Sequence, residues 1–240
     1  MLQAISSAKR VFSVANSLKQ HVVKLGADKN KIRVVGNGVD IIKFYPLDRM
    51  QERQSLDIPL DAKVLISVGA LVERKGFHRV IEVLPELMKK HPDLLYLIIG
   101  GESPEGNIKD RLLQLVKDLK LENNVRFLGA LSSDELKKPL SSANIFVLAT
   151  ANEGWANVFL EAMACGLPVV TTDVGGNREV VSHESLGSIV TFGDQQALTV
   201  AVQEALEKNW DNDKIIRYAQ DNAWDTRVEI LVDEFKNIVD

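Results

Sequence analysis

Two glutamates with seven residues between them stand in the run Thr150-Ala151-Asn152-Glu153-Gly154-Trp155-Ala156-Asn157-Val158-Phe159-Leu160-Glu161-Ala162-Met163-Ala164-Cys165-Gly166-Leu167-Pro168. Glu153-Gly154 reads as a turn, and the pattern after it predicts a helix from Trp155 to Cys165, stopped by Gly166 and Pro168. The first amides of such a helix, at Ala156, Asn157 and Val158, have no partner within it and form an anion site. One carboxylate precedes the helix and the other lies two turns into it, so neither is placed to cap it. Glu161 sits among Phe159, Leu160, Ala162 and Met163, where an unpaired carboxylate is costly. It needs a partner, either a protein donor or ligand hydroxyls, and the pattern leaves both open.

A second cluster follows the apolar run Val64–Val68. It reads Gly69-Ala70-Leu71-Val72-Glu73-Arg74-Lys75-Gly76-Phe77, a glycine-bracketed turn with adjacent cations at the start of a helix. Arg74 and Lys75 together with the helix amides could hold a phosphate. Taken alone, a solvated basic turn explains the run better. It is not a Walker A loop, and Gly100-Gly101-Glu102-Ser103-Pro104 after the next apolar run is not a dinucleotide fingerprint. A fourth polar turn, Thr172-Asp173-Val174-Gly175-Gly176-Asn177-Arg178-Glu179, follows Val169–Thr172.

Elements that bring four such turns together can be read from the apolar pattern. Strands are expected at 10–14, 32–35, 64–68, 94–99, 125–128, 145–148, 169–172 and 188–190, with helical three- and four-residue spacing between them. Pro85 should kink its helix or shift its start. Ser132-Ser133-Asp134-Glu135 reads as a capping box, and Asp194 as the cap of a helix over 195–208. The stretch 44–62, with Pro46 and Pro59, reads as a linker. Strict β/α alternation predicts a Rossmann-like parallel sheet flanked by helices, with ligands beyond the carboxyl ends of its strands. Four polar, glycine-bearing turns on that edge suit a nucleotide.

Composition narrows the field. The chain has 240 residues, 45% hydrophobic and 26% charged, with net charge −4, which is ordinary globular material. Its single cysteine, Cys165, excludes an intrachain disulfide and points to a reducing, cytoplasmic setting. His21, His78, His91 and His183 are far apart, and no spacing suggests a metal site. The apolar runs are shorter than the roughly 20 residues a membrane helix needs, and residues 1–10 lack a signal-peptide core. Residues 1–45 carry net charge +6 and the remainder −10. The basic piece suits another domain, an anionic surface or plain solvent. Overall acidity and the lack of aromatic–basic interleaving argue against nucleic acid. Asp211-Asn212-Asp213 lies between late helices and reads as a cap rather than a metal motif.

The chain resembles the donor-binding, carboxyl-terminal half of a retaining GT-B fold glycosyltransferase of family 4 (group 1). The resemblance rests on Asn37-Gly38-Val39-Asp40 with Phe44 and Pro46, on Val68-Gly69 with Lys75-Gly76, and on Phe127-Leu128-Gly129. It continues through Glu153-Gly154 to Glu161-Ala162-Met163-Ala164, then Gly166-Leu167-Pro168-Val169-Val170, and Gly175-Gly176 with Glu179-Val180-Val181. The glutamate run joined to the GLPVV and GG segments is the specific part.

The resemblance implies a nucleotide-diphosphate-sugar donor with a UDP, GDP or ADP base, transfer with retention, and neither cofactor nor metal. It implies that Glu153 contacts the donor sugar near its anomeric centre and that Lys75 stabilises the diphosphate leaving group. Gly69, Arg74, Gly129, Leu131, Gly154, Ala156, Asn157, Val158 and Glu161 complete the donor-binding set. Glu161 would hold the ribose hydroxyls, the amides at 156–158 the distal phosphate, and the backbone at 129–131 the base. Ala70 stands where the family usually has arginine, and Arg74 is the candidate replacement. Residues 1–45 would be the last units of an amino-terminal acceptor domain, 46–223 the donor domain, and 224–240 a helix crossing back toward the missing part. The acceptor would be a glycan or lipid-linked, with peripheral membrane contact expected of the complete enzyme. A sugar-nucleotide epimerase of the same fold and a non-catalytic nucleotide-binding module are the alternatives.

Overall fold

A computed structural model describes residues 2–239. The terminal residues 1 and 240 of the two outer expected segments lie outside the described residues. Six parallel strands form the main sheet: β3 (Val64–Val68), β4 (Leu95–Ile99), β5 (Val125–Gly129), β6 (Ile145–Leu148), β7 (Val169–Thr172) and β8 (Gly187–Val190). Their spatial order is β5-β4-β3-β6-β7-β8. From β3 the chain builds outward to β5, then returns across the sheet to lay β6 against the other side of β3. The two directions diverge between β3 and β6, and a crevice opens above that point.

Burial on both faces explains why the strands read as continuous apolar runs. Val64, Ile66, Leu97, Phe146 and Leu148 face one core, which is closed by the helices α3 (Arg49–Ser55), α6 (Ser133–Ser142), α7 (Asn157–Ala164) and α10 (Asn212–Asp221). Their neighbours Leu65, Tyr96, Ile98, Ile145 and Val147 face the opposite core, under α4 (Phe77–Leu87), α5 (Lys109–Asp118) and α9 (Gln195–Glu207). The alternation within each strand is the period-two pleat. Tyr96 donates to Ser67 Oγ at 2.7 Å, and Ser67 donates to Val147 O, so a buried polar chain ties β4 to β3 and β6.

Local signals set several boundaries. Glu135 accepts from Ser132 N at 2.9 Å at the start of α6, as a capping box requires. Asp194 accepts from Ala197 N at the start of α9, and Asp211 from Lys214 N at the start of α10. Asp211 is therefore a cap. The helix α4 begins at Phe77 directly after Gly76, and Pro85 sits in its last turn, where one missing N–H leaves the start unaffected.

The segment 44–62 is not a linker. It contains α3, and Phe44, Ile58 and Ala62 are buried. Arg53 is 4% exposed. Its guanidinium donates to Ser142 O at 2.9 Å, to Asn144 Oδ1 at 2.8 Å and to Leu60 O, fastening α3 to the end of α6. Prolines and mixed charge mark the segment as loop-like, but two of the three partners of Arg53, Ser142 O and Asn144 Oδ1, are more than eighty residues away and invisible locally.

A smaller unit precedes the main sheet. It comprises the helix α1 (Leu2–Ser7), two parallel strands β1 (Val11–Ser13) and β2 (Ile32–Val34), and the helix α2 (Asn16–Lys24). The last helix, α11 (Trp224–Val239), starts where Trp224 N donates to Val39 O at 3.1 Å and then packs on β1 and β2. Phe235 meets Phe12 edge-on at 5.4 Å, and Glu234 pairs with Arg10 and Arg33.

Arg53→Met should cost about 1–3 kcal/mol of folding free energy, because buried Ser142 O loses its donor, whereas Asn144 Oδ1 keeps its bond from Val64 N at 2.8 Å. Urea unfolding measures this, and a loss below about 1 kcal/mol would show that Ser142 O finds another partner.

Candidate functional site

The turns after β3 and β6 are sewn together at the crevice. Gly76 adopts a left-handed backbone (φ +75°), and the carbonyl of Ala149 packs where a side chain would stand. Only glycine fits both conditions. Arg74 O accepts from Ala151 N at 2.7 Å and lies 3.0 Å from the Thr150 hydroxyl. Lys75 is thereby delivered to Glu153, with Nζ 2.5 Å from Oε1. The two side chains are only 14% and 8% exposed, so this pair is largely withdrawn from water. Thr150 Oγ1 lies 3.2 Å from the same oxygen.

Arg74 leans against this pair. Its Nη1 is 3.7 Å from Glu153 Oε1, while Nε and Nη2 grip the Glu105 carboxylate at 2.5 and 2.6 Å. The bond from Glu105 raises the Arg74 pKa above its ordinary value, and the bond from Arg74 lowers that of Glu105. Two cations and two carboxylates thus share a small volume at the mouth of the crevice.

Behind Glu153 the glycine pair acts as a base-plate. Gly175 (φ +53°) packs its backbone against the carbonyl of Glu153, leaving no room for a side chain, and Gly176 N donates to that carbonyl at 3.3 Å. The chain then passes through Gly154, which is open to solvent, and Trp155, which lies over Gly36. The helix α7 begins at Asn157, later than the expected start at Trp155, because this anchored turn carries the chain extended as far as Ala156. Ala156 is its N-cap, and the amides of Ala156, Asn157 and Val158 have no hydrogen-bond partner among the described residues. Asn37 Nδ2 donates to Asn157 Oδ1 at 2.9 Å, fixing the first turn of the helix. The unpaired amides and the helix dipole favour an anion here.

Glu161 lies one and a half turns further along α7, part-buried and without a hydrogen-bond donor from the described residues. Burial pushes its pKa up to about 7. The alternative left open by the sequence, a protein partner, is therefore not taken. At the other side of β3, Gly69 N donates to Ile99 O at 3.0 Å and Gly100 N to Gly129 O at 2.8 Å, so the three strand ends form one level edge. Gly129 is exposed with φ +76°, and Leu131 follows it part-buried.

Lys75, Arg74 and Glu153 are thus brought into contact. Gly154, Ala156, Asn157, Val158 and Glu161 continue from that cluster, and Gly69, Gly129 and Leu131 lie along the same sheet edge. Glu105, Thr150 and Asn37 also shape the site, although sequence reasoning gave none of them a role there. Glu105 in particular sits inside a short turn, Ser103–Gly106, with no local sign that it grips an arginine 31 positions earlier. Among the described residues no cluster of His, Cys, Asp or Glu is placed to hold a metal ion. No helix among them is long and apolar enough to cross a membrane.

A family model described as "Glycosyl transferases group 1" matches residues 48–222. The chain belongs to this family. This chain is 34% identical over 228 residues to a D-inositol 3-phosphate glycosyltransferase of Corynebacterium urealyticum, covering 90% of the chain and 54% of that relative. It therefore spans about half the length of the relative it matches. Among solved structures, sucrose-phosphate synthase from Thermosynechococcus elongatus superposes with a TM-score of 0.87 at 24% identity, over 99% of this chain and 60% of the other. Anabaena Alr3699/HepE in complex with UDP superposes with a TM-score of 0.84 at 24% identity, over 96% and 64%. At that identity these two likenesses show the fold, the Rossmann-like sheet of GT-B glycosyltransferases.

Glu161 gives this glycosyltransferase chain a pH signature. Its carboxyl is harder to ionise folded (about 7) than unfolded (4.5). The Glu161 contribution to stability is therefore most favourable below the unfolded value, falls as pH rises between the two, and stays reduced above. Glu161→Gln removes the penalty. It should match wild type near pH 4.5 and exceed it at pH 8 by up to about 3 kcal/mol. Urea unfolding at both pH values tests this, and an equal advantage at both would reject the burial argument.

Proposed function

We propose that the chain is the donor-binding part of a retaining glycosyltransferase, taking a UDP-, GDP- or ADP-sugar and needing no metal. The observation that carries this reading is the convergence, at one crevice, of a paired Lys75 and Glu153, three unpartnered amides opening α7, and a part-buried Glu161 with no protein donor. The amides and Glu161 lack what a nucleotide sugar supplies, phosphate oxygens and hydroxyl donors, and the Lys75–Glu153 pair offers a cation and a carboxylate for the same two kinds of group. UDP in the HepE crystal structure supports a nucleotide as the ligand class.

In the proposed reaction the bond between the anomeric carbon and the donor's phosphate oxygen breaks as the acceptor oxygen bonds to the same face of that carbon. The acceptor's proton passes to the departing phosphate oxygen. Lys75, Arg74 and the α7 amides hold the charge that accumulates on the diphosphate, and fixed dipoles of this kind need no reorganisation during the step. Glu153 orients the sugar through its hydroxyls and Glu161 holds the ribose. Gly69 and Gly154 let the donor approach the backbone, and the edge at Gly129 and Leu131 frames the base.

Residues 1–45 are proposed as the end of an acceptor domain and 224–240 as the helix that returns to it. The +6 charge of the first segment faces that domain or an anionic surface carrying a glycan or lipid-linked acceptor. Without that domain, the 240 residues should transfer little sugar.

A thermal-shift panel with UDP, GDP, ADP and their sugar conjugates tests donor binding. At one hundred times Kd the matching nucleotide stabilises by about 2.7 kcal/mol, a rise of roughly 5–10 °C for a protein of this size. The shift should persist in EDTA and be lost in Lys75→Ala and Glu161→Ala. If no nucleotide shifts the wild type, the reading fails.

A further inference from the structure

We infer that Glu105 is a positioning residue, holding the Arg74 guanidinium so that its free amino group joins Lys75 in receiving the donor diphosphate. The inference rests on the donor-binding reading above and adds to it the second cation of the clamp and the residue that aims it.

A diphosphate carries more charge than one lysine can offset, and Lys75 is already 2.5 Å from a carboxylate. Position 70, at the head of the turn, is alanine and contributes no charge. The other arginines near this edge are engaged elsewhere. Arg79 donates to Ala149 O at 3.2 Å and covers the Phe192 ring at 4.7 Å. Arg111 pairs with Glu73 at 2.6 Å, and Arg178 with Asp173 at 2.6 Å. Arg74 alone among them points at Glu153 Oε1, the oxygen that Lys75 also faces.

The geometry of the grip separates positioning from competition. Glu105 occupies the Nε–Nη2 edge as a bidentate fork, leaving Nη1 with only long approaches, 3.5 Å to Asn152 O and 3.7 Å to Glu153 Oε1. A phosphate can take Nη1 without displacing the fork. An arginine side chain has about 2 kcal/mol of rotamer entropy to lose on being ordered, and a fork made before the ligand arrives removes that cost from binding. Glu105 is itself held in place. Its N–H reaches Ser103 Oγ at 3.2 Å, and Ser103 and Gly106 exchange backbone bonds at 3.1 and 2.9 Å. The preceding residue of the cation turn, Glu73, is braced in parallel by Arg111 and by His78 at 3.3 Å. The β4–α5 connection and the start of α5 thus bracket the cation turn through two ion pairs.

Calorimetric titration of wild type, Glu105→Gln, Glu105→Asp, Arg74→Ala and the double variant Arg74→Ala/Glu105→Gln with UDP, GDP and ADP tests this. For the diphosphate that wild type binds best, Glu105→Gln should weaken Kd about five- to tenfold, and Arg74→Ala at least as much. Glu105→Asp, which keeps a carboxylate on a shorter stem, should recover part of the loss. The double variant should bind no worse than Arg74→Ala alone, a coupling that a general loosening of the turn would not produce. Unchanged or tighter binding by Glu105→Gln, or an equal further loss in the Arg74→Ala background, would overturn the inference while leaving the donor reading intact. Failure of wild type to bind any of the three overturns both.

Discussion

Lys75 and Glu153 are 78 positions apart in the chain and meet at 2.5 Å. They do so because β3 and β6 are adjacent parallel strands whose ends leave the sheet on the same side. Their turns approach so closely that Gly76 and the Ala149 carbonyl share one space. That approach depends on glycine, and much of the site depends on that approach. A side chain at 76 would lift the cation turn away from the β6 turn and draw Lys75 off Glu153. The bonds to Arg74 O that sew the two turns would lengthen with it.

Around this contact the protein keeps charge balanced without a ligand. Lys75 faces Glu153, Arg74 grips Glu105, and Glu73 is shared between Arg111 and His78. Among the described residues across the crevice, the amides that open α7 and the Glu161 carboxylate on the same helix have no hydrogen-bond partner, and Trp155 Nε1 beside them is likewise buried without one. A largely buried ion pair contributes little net stability after desolvation, so the arrangement makes better sense as a preformed receptor than as a staple. The sheet beneath, with apolar side chains on both faces, carries the folding energy instead.

Motif density made the donor edge legible because its key residues are close together in the chain. The glutamate run and the GLPVV and GG segments are each local, and a glycine at a tight turn announces itself. Helix caps at Asp194 and Asp211 were legible for the same reason, since a cap bonds to an amide only three residues on. Arg53 and Glu105 were not legible. Both are polar residues in unremarkable stretches whose decisive partners, Arg74 for Glu105 and Ser142 O with Asn144 Oδ1 for Arg53, lie 31 to 91 positions away. The late start of α7 was hidden too, because it is set by Gly175 and Gly176 pressing on Glu153 rather than by the propensity of Trp155 or Ala156.

By itself the sequence determined the alternation of strands and helices, the edge on which ligands would sit, and the types of group available there. Apolar periodicity and turn chemistry act over a few residues, so they survive in one dimension. Which groups touch was decided only by tertiary structure. The order of strands placed β6 rather than β4 beside the cation turn on the crevice side, joined Glu105 to Arg74, and left Glu161 with no partner of its own. Those are properties of packing between distant segments, where distance and dielectric set the chemistry of a charge.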